Sequence, residues 1–128
     1  AERARRAAEL EASLPPEERA RRREATAALD LRAAEADLAA SGGSADELHA
    51  LRERMVGREA ADRLATLDAQ RRAWNERVAD YRAARAAIDG EPSLDARERE
   101  AAIARLRVER FSETERLRVE ALDDIDGR

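Results

Sequence analysis

The sequence contains no cysteine, no lysine and only three aromatic residues, one each of Trp, Tyr and Phe, among 128 residues. The absence of cysteine excludes disulfide bonds and thiol chemistry. The larger apolar residues Leu, Ile, Val and Phe total 21, so any hydrophobic core is thin. No apolar run approaches the roughly 18 residues of a membrane-spanning helix, and no segment resembles a signal peptide. The sequence therefore predicts neither a disulfide scaffold nor a membrane span within this chain.

Charged residues and alanine dominate what is present. Charged residues make up 42% of the chain, and there are 31 alanines. Alanine is the strongest helix former, and the charges fall between apolar positions at helical spacing. The composition therefore favours stable helices over disorder. The net charge of −4, with both signs interspersed, argues against a nucleic-acid partner, which would favour a basic face.

Helix start signals divide the chain into six helices and no strands. Pro16 followed by two acidic residues starts the second helix, because proline suits the first helical position and acids suit the helix N-terminus. Three capping boxes start later helices, at Ser44–Glu47, Asp95–Glu98 and Ser112–Glu115. We expect the polar end, residues 123–128, to fray. The predicted helices cover residues 1–12, 16–40, 45–55, 58–88, 96–110 and 113–124.

The fold class predicted from this pattern is all-α. The helices are long and their apolar stripes are narrow, so an extended, curved array of about six helices is expected rather than a compact bundle. A faint internal repeat at an offset of 55 residues is consistent with such an array. It relates Arg52 to Arg107 and the pair Val56-Gly57 to Phe111-Ser112.

The longest predicted helix, Arg58 to Ile88, carries the candidate contact surface for another molecule, because its apolar seam holds the only Trp and the only Tyr. Two steps of that seam are arginine, which could pair with carboxylates or carbonyl oxygens of a partner. The alternative is internal packing of the two aromatic rings on a neighbouring helix, and Phe111 is also suited to holding the last helix as a hydrophobic staple. The candidate partner-binding residues are Arg71, Trp74, Tyr81, Arg85 and Phe111.

No pattern in the sequence indicates a reactive site. His49 has no second His and no Cys to form a metal or nucleophilic site, so we expect an ordinary surface residue on a helix. The many acidic residues lie in arginine-rich, solvated stretches where nothing would raise a carboxyl pKa. A Gly-rich phosphate loop and a nucleophile elbow are missing. The sequence therefore predicts no enzyme, catalytic residue, cofactor, metal or small-molecule ligand.

Several stretches, in this order and spacing, resemble one known family, the bacterial lipase-specific foldases, over roughly residues 14 to 123. The first stretches are Leu14-Pro15-Pro16-Glu17-Glu18 and LRERMVGREAADRLATL, which begins at Leu51. LDAQRRAWNERVADYRAARAAI ends at Ile88, and LDAREREAAI and ARLRVERFSETERLRVEALD follow it. None of these stretches is specific alone, but together they identify the family.

The resemblance implies a periplasmic protein, anchored in the inner membrane by an N-terminal segment that this chain lacks. Its partner would be a secreted triacylglycerol lipase, whose last folding step it assists without ATP. The resemblance also implies that residues 1–90 form an extended helical domain and residues 91–128 a C-terminal helical mini-domain. The family's Arg-x-x-Phe-Asp-Tyr motif, linked to foldase activity, is absent from the sequence. We therefore expect lipase binding without full foldase activity.

A structural protein is the competing interpretation of the same seam. A spacer or a self-associating coiled coil would use the long helix equally well and would need no client. A self-associating helix gains thermal stability with its own concentration, whereas a chaperone arm does not.

Overall fold

A computed structural model describes residues 1–127, and the described chain is built from six α-helices without a strand. The all-α prediction and the predicted number of helices are confirmed, and each helix boundary lies within two residues of its predicted position. No helix in the described part of the chain has the length and apolarity that a membrane crossing requires. The helices are α1 (Glu2–Ser13), α2 (Pro16–Ala40), α3 (Ala45–Val56), α4 (Arg58–Asp89), α5 (Ala96–Arg110) and α6 (Glu113–Asp126).

The three predicted capping boxes explain why α3, α5 and α6 begin where they do. At the start of α3, the Glu47 amide donates to Ser44 Oγ at 3.1 Å, and the Ser44 amide donates to Glu47 Oε1 at 3.3 Å. The same reciprocal pair of hydrogen bonds is present at the starts of α5 and α6. Each box satisfies two backbone N–H groups that have no partner within the helix.

The chain divides into two compact units, and the division falls inside α4, between Leu67 and Asp68. The boundary predicted for the two domains lay later, at residue 90. Compactness of a unit and identity of a domain are different properties, so the division into residues 1–90 and 91–128 stays a prediction.

The first unit, residues 1–67, is organised by the pairing of α2 with α3. Arg52 of α3 is 6% exposed, and its Nε donates to Glu35 Oε1 of α2 at 2.7 Å. Gly57 joins α3 to α4 as a single residue with φ +88° and ψ 164°, a conformation accessible essentially only to glycine. α1 and α2 contain no buried residue. The interior of this unit is therefore small.

The second unit begins at Asp68 and has a small aromatic core. Tyr81 of α4, Phe111 after α5 and Val119 of α6 are buried together, with Trp74 and Leu106 packed against them. The prediction that residues from 123 onward fray is wrong for the described residues, because α6 continues to Asp126. Arg128 lies outside the described residues.

Candidate partner-binding site around Trp74

Trp74 is the half-buried edge of the aromatic core of the second unit. Its ring centroid lies 5.6 Å from that of Phe111, with the two planes inclined at 55°. The guanidinium carbon of Arg118 lies 4.5 Å from the Trp74 ring centroid, and that of Arg77 lies 5.6 Å from it. Both distances fall within the range of cation–π attraction. The indole is thus held in one orientation while part of it remains in contact with solvent.

Arg77 is fixed by an acidic residue of α6. Its two terminal nitrogens donate to the two carboxylate oxygens of Glu115 at 2.6 and 3.0 Å, and one also donates to the Arg110 carbonyl oxygen at 2.8 Å. A bidentate pair of this kind is stronger and more directional than a single contact. The hydrogen bond from Arg77 is the main reason that the pKa of Glu115 falls to about 2. Arg77 is therefore part of the scaffold that orients Trp74.

A polar network centred on Asp123 lies in the same unit. Oδ2 of Asp123 accepts hydrogen bonds from the Tyr81 hydroxyl at 2.7 Å and from Arg107 at 2.9 Å, and Arg85 Nη1 lies 2.8 Å from the same oxygen. Arg107 Nε also donates to the Tyr81 hydroxyl oxygen at 3.1 Å. The network joins α4, α5 and α6 around a side chain that is only 9% exposed.

The pKa values within this network follow from burial and pairing. Burial alone raises the pKa of Asp123, but the hydrogen bonds from Tyr81 and Arg107 and the charges of Arg85 and Arg107 outweigh it, so the pKa is lowered overall. Burial also raises the pKa of the Tyr81 hydroxyl, and the hydrogen bond to Asp123 raises it further. The ionised carboxylate and the neutral phenol are therefore the favoured forms.

The structure brings four of the five candidate partner-binding residues together and leaves one apart. Trp74, Tyr81 and Phe111 share the aromatic cluster, and Arg85 joins it through Asp123. The Arg71 side chain is 73% exposed, and its Nη1 lies 3.9 Å from Asp68 Oδ1 on the same helix.

Exposure separates the candidates further. Tyr81 is fully buried and Phe111 is 4% exposed, because their rings fill the space between α4, α5 and α6. Their burial agrees with the alternative in which Tyr81 packs on a neighbouring helix and Phe111 holds the last helix in place. Direct contact of either ring with a partner would require the cluster to open. Arg71, Trp74 and Arg85, whose side chain is 32% exposed, are the candidates that a partner can reach without such a change. Partner binding by any of the five stays a prediction.

Sequence reasoning missed four residues that build the site: Arg77, Arg107, Arg118 and Asp123. In a chain where 42% of residues are charged, nothing in the order of the residues marks the Arg and acidic side chains that pair across helices. One signal did exist for Arg107, because the internal repeat relates it to Arg52. Both arginines pair with an acidic residue of another helix, at 2.9 and 2.7 Å.

Side chains able to hold a metal lie in the first unit rather than near Trp74. Across residues 1–127, one group of three His, Asp or Glu side chains has ligand atoms within 4.8 Å of one another, and it consists of His49, Glu53 and Asp62. The His49 side chain, on α3, is 36% exposed and lies between the two carboxylates.

Comparison with known proteins identifies similar sequences over nearly the whole chain. The family described as "Proteobacterial lipase chaperone protein" matches residues 1–116. A protein named "Lipase chaperone" from Chromobacterium violaceum is 47% identical over 120 residues, which cover 94% of this chain and 40% of the relative. A "Lipase chaperone" of Stutzerimonas stutzeri is 44% identical over 119 residues, covering 93% of this chain and 33% of that protein. One from Burkholderia ambifaria is 37% identical over 127 residues, covering 96% and 36%. The chain thus spans between a third and two fifths of the length of these relatives.

Proposed function

Because the chain belongs to the proteobacterial lipase chaperone family, we propose that it is part of a periplasmic steric chaperone that binds a secreted triacylglycerol lipase. The observation that carries this proposal is the match of the family across residues 1–116, together with 47% identity to a relative named "Lipase chaperone". The proposed action is binding rather than catalysis, with no nucleic acid, cofactor or small molecule involved. The proposal includes attachment of the protein to the inner membrane through an N-terminal anchor.

The proposed mechanism is differential binding of lipase conformations. A folding barrier falls only if the chaperone binds the late, strained conformation of the client more tightly than the trapped precursor. Each tenfold preference lowers the barrier by about 1.4 kcal/mol. Such a preference requires binding groups that are held rigidly, because a flexible surface adapts to both conformations.

The surface around Trp74 is the proposed contact region for the lipase. Trp and Arg are the residue types that most often dominate the energy of protein interfaces. Trp74 has two guanidinium groups near its ring, and Arg71 lies one helical turn away on α4 with its side chain 73% exposed. An aromatic ring surrounded by arginines suits a client surface that combines apolar and carboxylate groups. Tyr81, Phe111 and Arg85 would support this surface from within the unit.

Lipase binding by this chain is proposed without full foldase activity. The sequence lacks the Arg-x-x-Phe-Asp-Tyr motif. The chain also spans only 33–40% of the length of the relatives from Chromobacterium violaceum and Stutzerimonas stutzeri. A refolding assay separates the two properties. Denatured lipase diluted with the chain should regain little more activity than lipase diluted alone, even where the two proteins associate.

The test of the proposed function is complex formation with a purified triacylglycerol lipase whose gene neighbours that of this chain. Size-exclusion chromatography of the mixture should show the two proteins eluting together and ahead of either alone. Bovine serum albumin in place of the lipase controls for non-specific association. Failure to form a complex at tens of micromolar of each protein would contradict the proposal. A melting temperature of the chain alone that rises steeply with its concentration would instead support self-association.

A further inference from the structure

His49, Glu53 and Asp62 form a compact group of potential ligands in the first unit. His49 Nε2 lies 3.1 Å from Glu53 Oε1 and 3.4 Å from Asp62 Oδ1. All three ligand atoms lie within 4.8 Å of one another. The His49 side chain is 36% exposed, and those of Glu53 and Asp62 are 43% and 61% exposed, so an ion could reach the group from solvent.

The backbone explains why these three side chains meet. His49 and Glu53 are four residues apart on α3, so they lie on the same face of that helix. Gly57, with φ +88°, is the single residue between α3 and α4, and this tight junction brings Asp62 beside His49. Ala61, next to Asp62, is fully buried, which fixes the position of this turn of α4 within the unit.

The two separations from His49 Nε2 fit a tetrahedral metal ion. Zinc lies about 2.0–2.2 Å from imidazole nitrogen and carboxylate oxygen, which places neighbouring ligand atoms of a tetrahedral site about 3.3–3.6 Å apart. The two distances from His49 Nε2, 3.1 and 3.4 Å, are within a few tenths of an ångström of this range. Small rotations of the two exposed carboxylates would complete the geometry.

We propose that His49, Glu53 and Asp62 bind a divalent transition-metal ion of the zinc class, with water in the fourth position. One imidazole nitrogen in the ligand set favours such ions over magnesium and calcium, which prefer oxygen ligands alone. The dication also offsets the two carboxylate charges that face each other. Bound metal would tie α3 to α4 across Gly57 and so stiffen the first unit. This site is independent of the lipase-binding proposal.

A simple ion pair is the competing explanation. His49 Nε2 lies 3.1 and 3.4 Å from the two carboxylates, and these contacts could hold the group together without any metal. The two explanations differ in one observable. A metal site should bind zinc with defined stoichiometry, whereas an ion pair takes up no zinc.

The experiment is a calorimetric titration of zinc chloride into the 128-residue chain, prepared without a histidine tag. One zinc ion should bind per chain in the micromolar range, and magnesium chloride should give no binding heat. His49→Ala should abolish the zinc isotherm. Glu53→Gln and Asp62→Asn should each weaken zinc affinity about tenfold or more. Mutation of a residue that only hydrogen-bonds to a metal ligand already weakens metal affinity by about that factor. Glu24→Gln, which removes an exposed acid elsewhere in the same unit, should leave affinity unchanged.

A second measurement tests the proposal on the unmodified chain, in case a variant loses its fold. His49 is the only histidine, so its imidazole proton resonances in a one-dimensional NMR spectrum are unambiguous. Zinc should shift or broaden these resonances until one equivalent has been added, and EDTA should restore them. Unchanged resonances at several equivalents of zinc, or equal zinc affinity in a folded His49→Ala variant, would overturn the proposal.

Discussion

A single carboxylate oxygen, Oδ2 of Asp123, connects three helices of the second unit. It accepts from Tyr81 and Arg107 and lies 2.8 Å from an Arg85 nitrogen. Its position near the chain's end, in a polar run, gave no indication of this role, because the identity of a pairing partner is decided by the packing of helices rather than by neighbours in sequence. A buried carboxylate with several charged or polar partners is costly to disrupt, since its partners are left unsatisfied.

Asp123→Asn should therefore destabilise the chain by about 2–4 kcal/mol, because Arg107 and Arg85 lose the charge that compensates their own. Chemical denaturation followed by circular dichroism measures this change as a lower midpoint. Asp124→Asn is the matched control, since Asp124 is exposed and its loss should cost about 0.5 kcal/mol or less. Equal midpoints for the two variants would show that the network contributes nothing to folding.

The bidentate pair of Arg77 with Glu115 predicts a specific dependence of stability on pH. The folded-state pKa of Glu115 is about 2, below the roughly 4.3 of an unperturbed glutamate. Between these values the unfolded chain binds more protons, so the stability that this pair provides is present above about pH 4.3 and is lost as pH falls toward 2.

Glu115→Gln should consequently be less stable than the unaltered chain at neutral pH, and the difference should shrink toward zero near pH 2. Urea midpoints measured at several pH values would show the two curves converging. Glu113→Gln removes an exposed acid from the same helical turn. Its urea midpoints should differ from those of the unaltered chain by the same amount at every pH. A difference between Glu115→Gln and the unaltered chain that stays constant with pH would contradict the assignment.

At the scale of elements, the six helices and their starts were predictable because the signals are local. Pro16, three capping boxes and the turn glycines lie within a few residues of the boundaries that they determine. The burial of Tyr81 and Phe111 was not predictable to the same degree, since it depends on how α5 and α6 pack against α4. The repeat relating Arg52 to Arg107 anticipated one feature of that packing, because each arginine pairs with an acid from another helix.

The junction between α3 and α4 depends on one residue, Gly57. Residues other than glycine rarely adopt its φ of +88°. A Cβ added at this position would have no neighbouring atom within 4 Å, so the cost of a substitution lies in the backbone. Gly57→Ala should therefore cost about 1–3 kcal/mol through backbone strain alone. Gly127→Ala, at a φ of −80° and with the added Cβ 3.3 Å from the Asp123 carbonyl oxygen, is the control for adding a side chain without strain in φ. Similar midpoints for the two variants would mean that the junction adapts without strain.

The whole molecule buries little apolar surface for its length. It belongs to the proteobacterial lipase chaperone family. α1 and α2 hold no buried residue, and the core of the second unit centres on three side chains. Composition predicted this thin interior, and the resemblance to lipase-specific foldases is confirmed by the family match. Residues for contact with a proposed client could not be singled out from the sequence, because the same seam residues of one helix suit internal packing and partner binding alike.

Two variants of α4 distinguish residues that bind a partner from residues that pack inside the unit. Trp74→Ala should weaken lipase binding by about thirtyfold or more, as expected for a central aromatic contact worth about 2 kcal/mol. Tyr81→Phe keeps the buried ring and removes only its hydroxyl, so it should lower stability by about 1–2 kcal/mol and leave lipase affinity unchanged. Thermal melts and affinity measurements on both variants provide the comparison. Unchanged affinity in a folded Trp74→Ala variant would move the contact region away from this residue.

Binding of a secreted lipase by this chain can be measured directly by calorimetric titration of the purified lipase with the unaltered chain. The proposal predicts a saturable isotherm with one chain per lipase molecule. Absence of binding heat at tens of micromolar, at two temperatures so that a zero enthalpy is not mistaken for no binding, would contradict it.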